Sequence, residues 1–231
     1  MAAAYFSPTD LDNALDLMRA EDPLVGAGGT DFFPARGRAP ITRPILDITR
    51  VAALGGIEWI EDALRIGANA TWSDVIRADL PPAFDGLKAA AREVGSIQIQ
   101  SAGTVAGNLC NASPAAAGVP PLLTLETEVE LASATGTRRM ALEAFLQGPR
   151  HTALEPGELL AALHIPRPPA HATSAFEKLG ARKYLVISIA MTAVVIGLGK
   201  DGLIDVARVA VGSCAPVAKR LPALEAEMIG Q

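Results

Sequence analysis

The chain has 231 residues, enough for one large domain or two modest ones; with half of them apolar and 19% charged, it lies far from compositions that stay disordered. Its formal net charge of −5, with no lysine- or arginine-rich run, disfavours nucleic-acid binding because the long-range field repels phosphate backbones. Aromatics are only 4%, against 21 glycines and 17 prolines, so small residues and turns carry the architecture.

In chain order, no basic stretch followed by an apolar one opens the sequence, so no signal peptide is read and a cytoplasmic location is expected. Leu11, Leu15 and Met18 then recur at helical spacing as far as Arg19, with Ser7 or Thr9 as the expected cap. Leu24 and Val25 form a brief strand running into a glycine-rich turn. Residues 45–48, 56–60 and 64–67 read as strands, and Thr71-Trp72-Ser73-Asp74 as a helix start. Residues 84–94 read as a helix with Leu87, Ala90, Ala91 and Val94 as its apolar stripe.

Residues 101–121 mix glycine, proline, asparagine and hydroxyl side chains and cannot be one regular helix or strand. Beyond them, 128–131 reads as a strand, 141–146 as a helical turn and 159–165 as a strand closed by Pro166. Arg167-Pro168-Pro169-Ala170-His171 is the best linker, which predicts a domain boundary near 167–172. Three strands follow at 174–179, 186–197 and 203–212, with a turn at Asp201-Gly202, and a helix over 221–228. The longest apolar run, 184–199, is shorter than the ~20 residues a bilayer core needs, so it reads as a buried strand or strand pair.

Two segments carry candidate chemistry. In Val25-Gly26-Ala27-Gly28-Gly29-Thr30-Asp31 the glycines let the backbone approach a ligand, and successive N–H groups suit a pyrophosphate; the plain alternative is a tight turn at a sheet edge. It is neither a Rossmann fingerprint nor a P-loop. In Gly103-Thr104-Val105-Ala106-Gly107-Asn108-Leu109-Cys110-Asn111-Ala112-Ser113-Pro114, Thr104, Asn108 and Ser113 offer groups for phosphate oxygens or sugar hydroxyls. Two such loops suggest an extended ligand held at both ends. The two cysteines are too few for an iron–sulfur or structural zinc site, and His151, His164 and His171 lack metal-ligand spacing. Cys110 reads as a buried small residue, and Arg138, Arg139 and Arg150 as surface charges.

Together with the Glu158–Pro166 strand, these motifs, in this order along the chain, resemble the FAD-binding medium subunit of the molybdenum hydroxylases, the family of xanthine dehydrogenase and aerobic carbon monoxide dehydrogenase. The resemblance implies an α+β fold. Residues 1–168 would be a two-subdomain FAD-binding domain of the vanillyl-alcohol oxidase/p-cresol methylhydroxylase (PCMH) type, divided at about 1–54 and 55–168. Residues 172–231 would be a shortened version of the small C-terminal domain with an antiparallel sheet. FAD would be held noncovalently by Val25, Gly26, Ala27, Gly28, Gly29, Thr30, Asp31 and Phe32 as the first pyrophosphate loop. Thr104, Val105, Ala106, Gly107 and Asn108 would form the second, with Ser113 beside them. Leu160 would meet the flavin edge through its backbone, and Lys178 would stand near the isoalloxazine, where a cation favours the reduced ring.

The resemblance also implies a small subunit with two [2Fe–2S] clusters, a large molybdopterin subunit, and an acceptor such as NAD, with Arg150 or Arg182-Lys183 facing a partner. The chain departs from the family at Ala117, where an aspartate usually binds the ribose; its loss is worth about 1–3 kcal/mol of affinity. Two alternatives are a stand-alone FAD oxidoreductase, and a flavin-free paralogue serving in assembly.

Overall fold

In the computed structural model, residues 3–231 are described; Met1 and Ala2 lie outside them. The chain opens with β1 (Tyr5–Phe6), α1 (Leu11–Glu21), β2 (Leu24–Gly26) and β3 (Ile45–Asp47), and β3 lies between β1 and β2 in a parallel three-stranded sheet. Asp10, rather than Ser7 or Thr9, caps α1, its carboxylate accepting from the Asn13 N–H at 2.8 Å. An aspartate one residue nearer the helix has the better reach to that orphan donor.

A second region holds β4 (Ile57–Ile60), β5 (Ala63–Gly67), α2 (Trp72–Arg77), α3 (Asp85–Arg92), α4 (Ile97–Ala102), α5 (Val105–Asn111) and α6 (Val119–Thr124). It continues through β6 (Glu128–Ser133), β7 (Gly136–Ala141), α7 (Leu142–Phe145), β8 (Leu146–Gly148), β9 (His151–Thr152) and β10 (Leu159–Pro166). The larger sheet has the order β4-β5-β10-β6-β7, all antiparallel, and β8 and β9 pair as a small ribbon. Central β10 is buried from Leu159 to Ile165 and packs against α5. Near-continuous burial is what a strand covered on both faces shows.

The mixed stretch 101–121 resolves into α4, α5 and α6, separated by turns at Gly103-Thr104 and at 112–118. Thr104 caps α5 through a bond from Gly107 N–H to its hydroxyl at 3.0 Å, and Pro120 and Pro121 sit in the first turn of α6, where missing N–H groups leave no bond unmade.

The last region is β11 (Ala172–Leu179), β12 (Ala190–Leu198), β13 (Ile204–Gly212), β14 (Lys219–Arg220) and α8 (Pro222–Met228), with the four strands antiparallel in chain order. Helices α3 and α6 lie against this sheet, which brings Ala90 and Ala117 onto Phe176 and Met191. Gly86 of α3 touches β11 so closely that a Cβ would stand 2.9 Å from the Ala175 carbonyl oxygen.

The apolar run 184–199 is not one buried strand. Only its second half is β12, in which Met191, Ala193 and Val195 point inward, whereas Tyr184, Leu185, Ile187 and Ile189 lie exposed in the connection from β11, Ile187 at 79%. Alternation of side chains across a strand buries every second residue, and the connection has no covering layer. No helix among the described residues is long and apolar enough to cross a membrane.

Candidate functional site: a cleft between two glycine loops

The first loop leaves β2 where Gly26 accepts from Ile48 N–H at 3.0 Å, then runs to Phe32 and Phe33, whose rings meet edge to face. The second begins at the turn between α4 and α5. Trp72 N–H donates to the Gly103 carbonyl at 3.1 Å and Val105 N–H to the Ala70 carbonyl at 3.0 Å, so the start of α2 and the start of α5 are fastened as a short bridge.

The two loops touch backbone to backbone. A Cβ on Gly28 would overlap the Ala102 carbonyl group, and one on Gly103 would lie 3.2 Å from Thr30 Oγ1 and 2.9 Å from the Ile99 carbonyl oxygen. Gly29 has φ +69, a left-handed conformation that L-residues avoid. Their glycines thus serve a loop-on-loop contact as well as any ligand.

Between the loops opens a cleft of about 600 Å³, floored by Trp72 and by Leu159 and Leu160 of β10. Val25, Ala27, Gly28, Gly29, Thr30, Asp31 and Phe32 line one wall, and Thr104, Ala106, Gly107 and Asn108 the other. The remaining predicted residues do not line it. Gly26 is in β2, Val105 is fully buried in the core, and the Ser113 hydroxyl accepts from Ala115 N–H at 3.3 Å in the turn after α5. Lys178 Nζ donates to the Glu93 carbonyl at 3.3 Å, next to the cleft-lining Val94. Ala117 is turned to the C-terminal sheet rather than into the cleft.

Sequence reasoning passed over several lining residues, among them Trp72, Ile99 and Glu158. Trp72 lay inside a segment that reads only as a helix start, and Glu158 gives no local signal because its partner is distant. Arg138 reaches it from β7, with Nε to Oε1 at 2.6 Å and Nη2 to Oε2 at 2.8 Å, so Arg138 is a paired group rather than a free surface charge. That guanidinium, against the opposing effect of burial, holds the Glu158 carboxyl below its usual range.

Two chemical facts bear on the cleft. Burial pushes the Cys110 thiol up to about 12, so it stays protonated and is no nucleophile. Asn108 Oδ1 is buried with no hydrogen-bond partner. It is turned inward, where a Cβ on Gly118 would lie 3.2 Å away, so the fit to a dinucleotide rests on the glycine cradle and on the polar residues Thr30, Thr104 and Asn108 along the cleft. Among the described residues no group of three or more His, Cys, Asp or Glu side chains stands ready to hold a metal.

Residues 1–168, which contain the whole cleft, match the family described as the FAD binding domain in molybdopterin dehydrogenase. The chain belongs to this family. It is 36% identical to the nicotinate dehydrogenase FAD-subunit of Eubacterium barkeri over 80% of this chain, a stretch that spans 65% of that relative's length. The caffeine dehydrogenase subunit beta of a Pseudomonas is 31% identical, over 98% of this chain and 78% of its own. Among solved structures, CO dehydrogenase from Oligotropha carboxidovorans superimposes with a TM-score of 0.93 at 28% identity, covering 100% of this chain and 82% of that one. The mixed fold with antiparallel sheets is therefore that of the CO dehydrogenase FAD subunit, and FAD is the cofactor that the domain takes.

Proposed function

We propose that the chain holds FAD noncovalently in the cleft between its glycine loops and works as the electron-transfer subunit of a molybdenum hydroxylase complex. In that complex a small subunit delivers electrons from [2Fe–2S] clusters, a large molybdopterin subunit oxidises the substrate, and NAD or another acceptor takes the electrons away. One observation carries the reading: two glycine loops pressed backbone to backbone leave a cleft lined by the polar residues Thr30, Thr104 and Asn108.

Bound FAD would supply the redox chemistry, exchanging electrons singly on one side and in pairs on the other. The protein residues bind and orient. The N–H groups of residues 27–32 and of Thr104 and Ala106, which have no other partner among the described residues, would hold the diphosphate, the Asn108 side chain lines the same wall, and Leu159, Leu160 and Trp72 exclude water beneath it. Lys178, its side chain 10% exposed, donates its Nζ to the Glu93 carbonyl at 3.3 Å and stands 3.9 Å from the Glu93 carboxylate, one residue before the cleft-lining Val94, a place from which a cation would favour the reduced ring. No side chain of the cleft is set up as a general acid or base for substrate, which favours this reading over a stand-alone oxidoreductase.

The test is the visible spectrum of the purified chain after FAD addition and gel filtration. Flavin bands that travel with the wild type and are lost in Gly28→Val support the reading. A folded wild type that retains no flavin at tens of micromolar FAD refutes it and favours the flavin-free paralogue.

A further inference from the structure

Arg150 ties the two walls of the cleft together. It lies in the turn of the β8–β9 ribbon with φ +60, and its backbone N–H donates at 2.9 Å to the carbonyl of Ala112, the left-handed residue (φ +45) that ends α5. Two non-glycine residues in that region, hydrogen-bonded to each other, are a strain that the surrounding fold imposes. The result is a side chain with a fixed aim. Nη1 donates to Asp31 Oδ2 at 2.7 Å and also to Asn111 Oδ1. Asp31 belongs to the first loop and Asn111 to α5, and both line the cleft, whereas Arg150 stands outside it with its side chain 57% exposed.

Asp31 is the only carboxylate between Leu24 and Phe33. Unpaired, it would repel a diphosphate bound by its own loop. An ion pair this exposed adds little to the stability of the fold, so its consequence lies in what it closes.

We propose that Arg150 is the clasp of the cleft. It neutralises Asp31 and fastens the first loop to α5, and the bound dinucleotide leaves when this contact opens. The inference rests on the FAD reading above and adds a positioning residue outside both glycine motifs.

The experiment follows FAD release from the loaded full-length chain by recovery of flavin fluorescence on dilution, in wild type, Arg150→Gly, Asp31→Asn and the double variant. Glycine takes the left-handed backbone freely, so Arg150→Gly removes the guanidinium without adding strain. Each single variant should release FAD about fivefold faster at low salt, and the double variant no faster than either single. Added salt should speed release from the wild type but not from Arg150→Gly, where it screens the repulsion of the unpaired Asp31 instead, a readout that a purely structural role would not move. Unchanged release rates, or single effects that multiply in the double variant, would overturn the clasp. Should Arg150→Gly fail to fold, Asp31→Asn and its salt dependence decide alone. A wild type that holds no FAD sinks the reading beneath, while a loaded wild type with unaltered variants sinks only the clasp.

Discussion

Gly28 lies against Ala102 so closely that a Cβ at position 28 would collide with the Ala102 carbonyl group. Two segments more than seventy residues apart in sequence thus meet through bare backbone, and the cleft is the space they leave beside that contact.

Replacing Gly28 by alanine should therefore force the loops apart. The expected outcome is a loss of roughly 1–3 kcal/mol in urea unfolding, the scale of overpacking, together with loss of FAD retention. Gly29→Ala, where only the left-handed backbone is at stake and the nearest side-chain atom leaves ordinary contact distance, should cost about 1–2 kcal/mol.

Asn108 predicts opposite signs with and without ligand. Asn108→Ala removes an acceptor that has no partner in the free protein, so the unliganded chain should be as stable as the wild type or slightly more so. FAD affinity should fall by about 1–2 kcal/mol. Paired thermal melts with and without FAD measure both, and a large loss of stability without FAD would show that Oδ1 already has a partner.

The Arg138–Glu158 pair predicts an acid-sensitive component of stability. The folded value of the Glu158 carboxyl lies below its ordinary 4.5, so its contribution is present above pH 4.5 and lost as pH falls through the lower folded value. Glu158→Gln should be less stable than wild type by about 1–2 kcal/mol at neutral pH, and the gap should close below pH 4.5. A gap that persists unchanged into acid would mean that the loss is one of packing.

The cysteines should react very differently. Cys110 is half-buried on the cleft wall with its thiol pushed up to about 12, whereas Cys214 is exposed. Titration with Ellman's reagent at pH 8 should modify one thiol per native chain and two in denaturant. A second fast equivalent in the native protein would mean that the cleft wall opens.

Both cleft loops were legible in the sequence because glycines at fixed spacing with hydroxyl and amide neighbours are local signals, and the helix and strand periods around them placed β2, α1 and β10. What could not be read locally depends on partners far along the chain. Glu158 lines the cleft under the hold of Arg138, twenty residues earlier in another strand, and Arg150 crosses to Asp31. The hydrophobicity of 184–199 pointed to burial, yet among the described residues no element covers Tyr184, Leu185 and Ile187. Strand β7 was missed because Arg138 and Arg139 obscure its alternation.

The order β4-β5-β10-β6-β7 also sets a timetable for synthesis. Strands β5 and β6 never pair with each other; the strand that joins them is the last of the five to leave the ribosome. Until Pro166 has emerged, the nascent chain carries two unfilled sheet edges, each flanked by buried-to-be side chains such as Ile66 and Leu131. A stalled or prematurely terminated chain ending before Leu159 would therefore be a sticky intermediate, and chaperone capture should be greatest in that interval and fall once β10 slides into place.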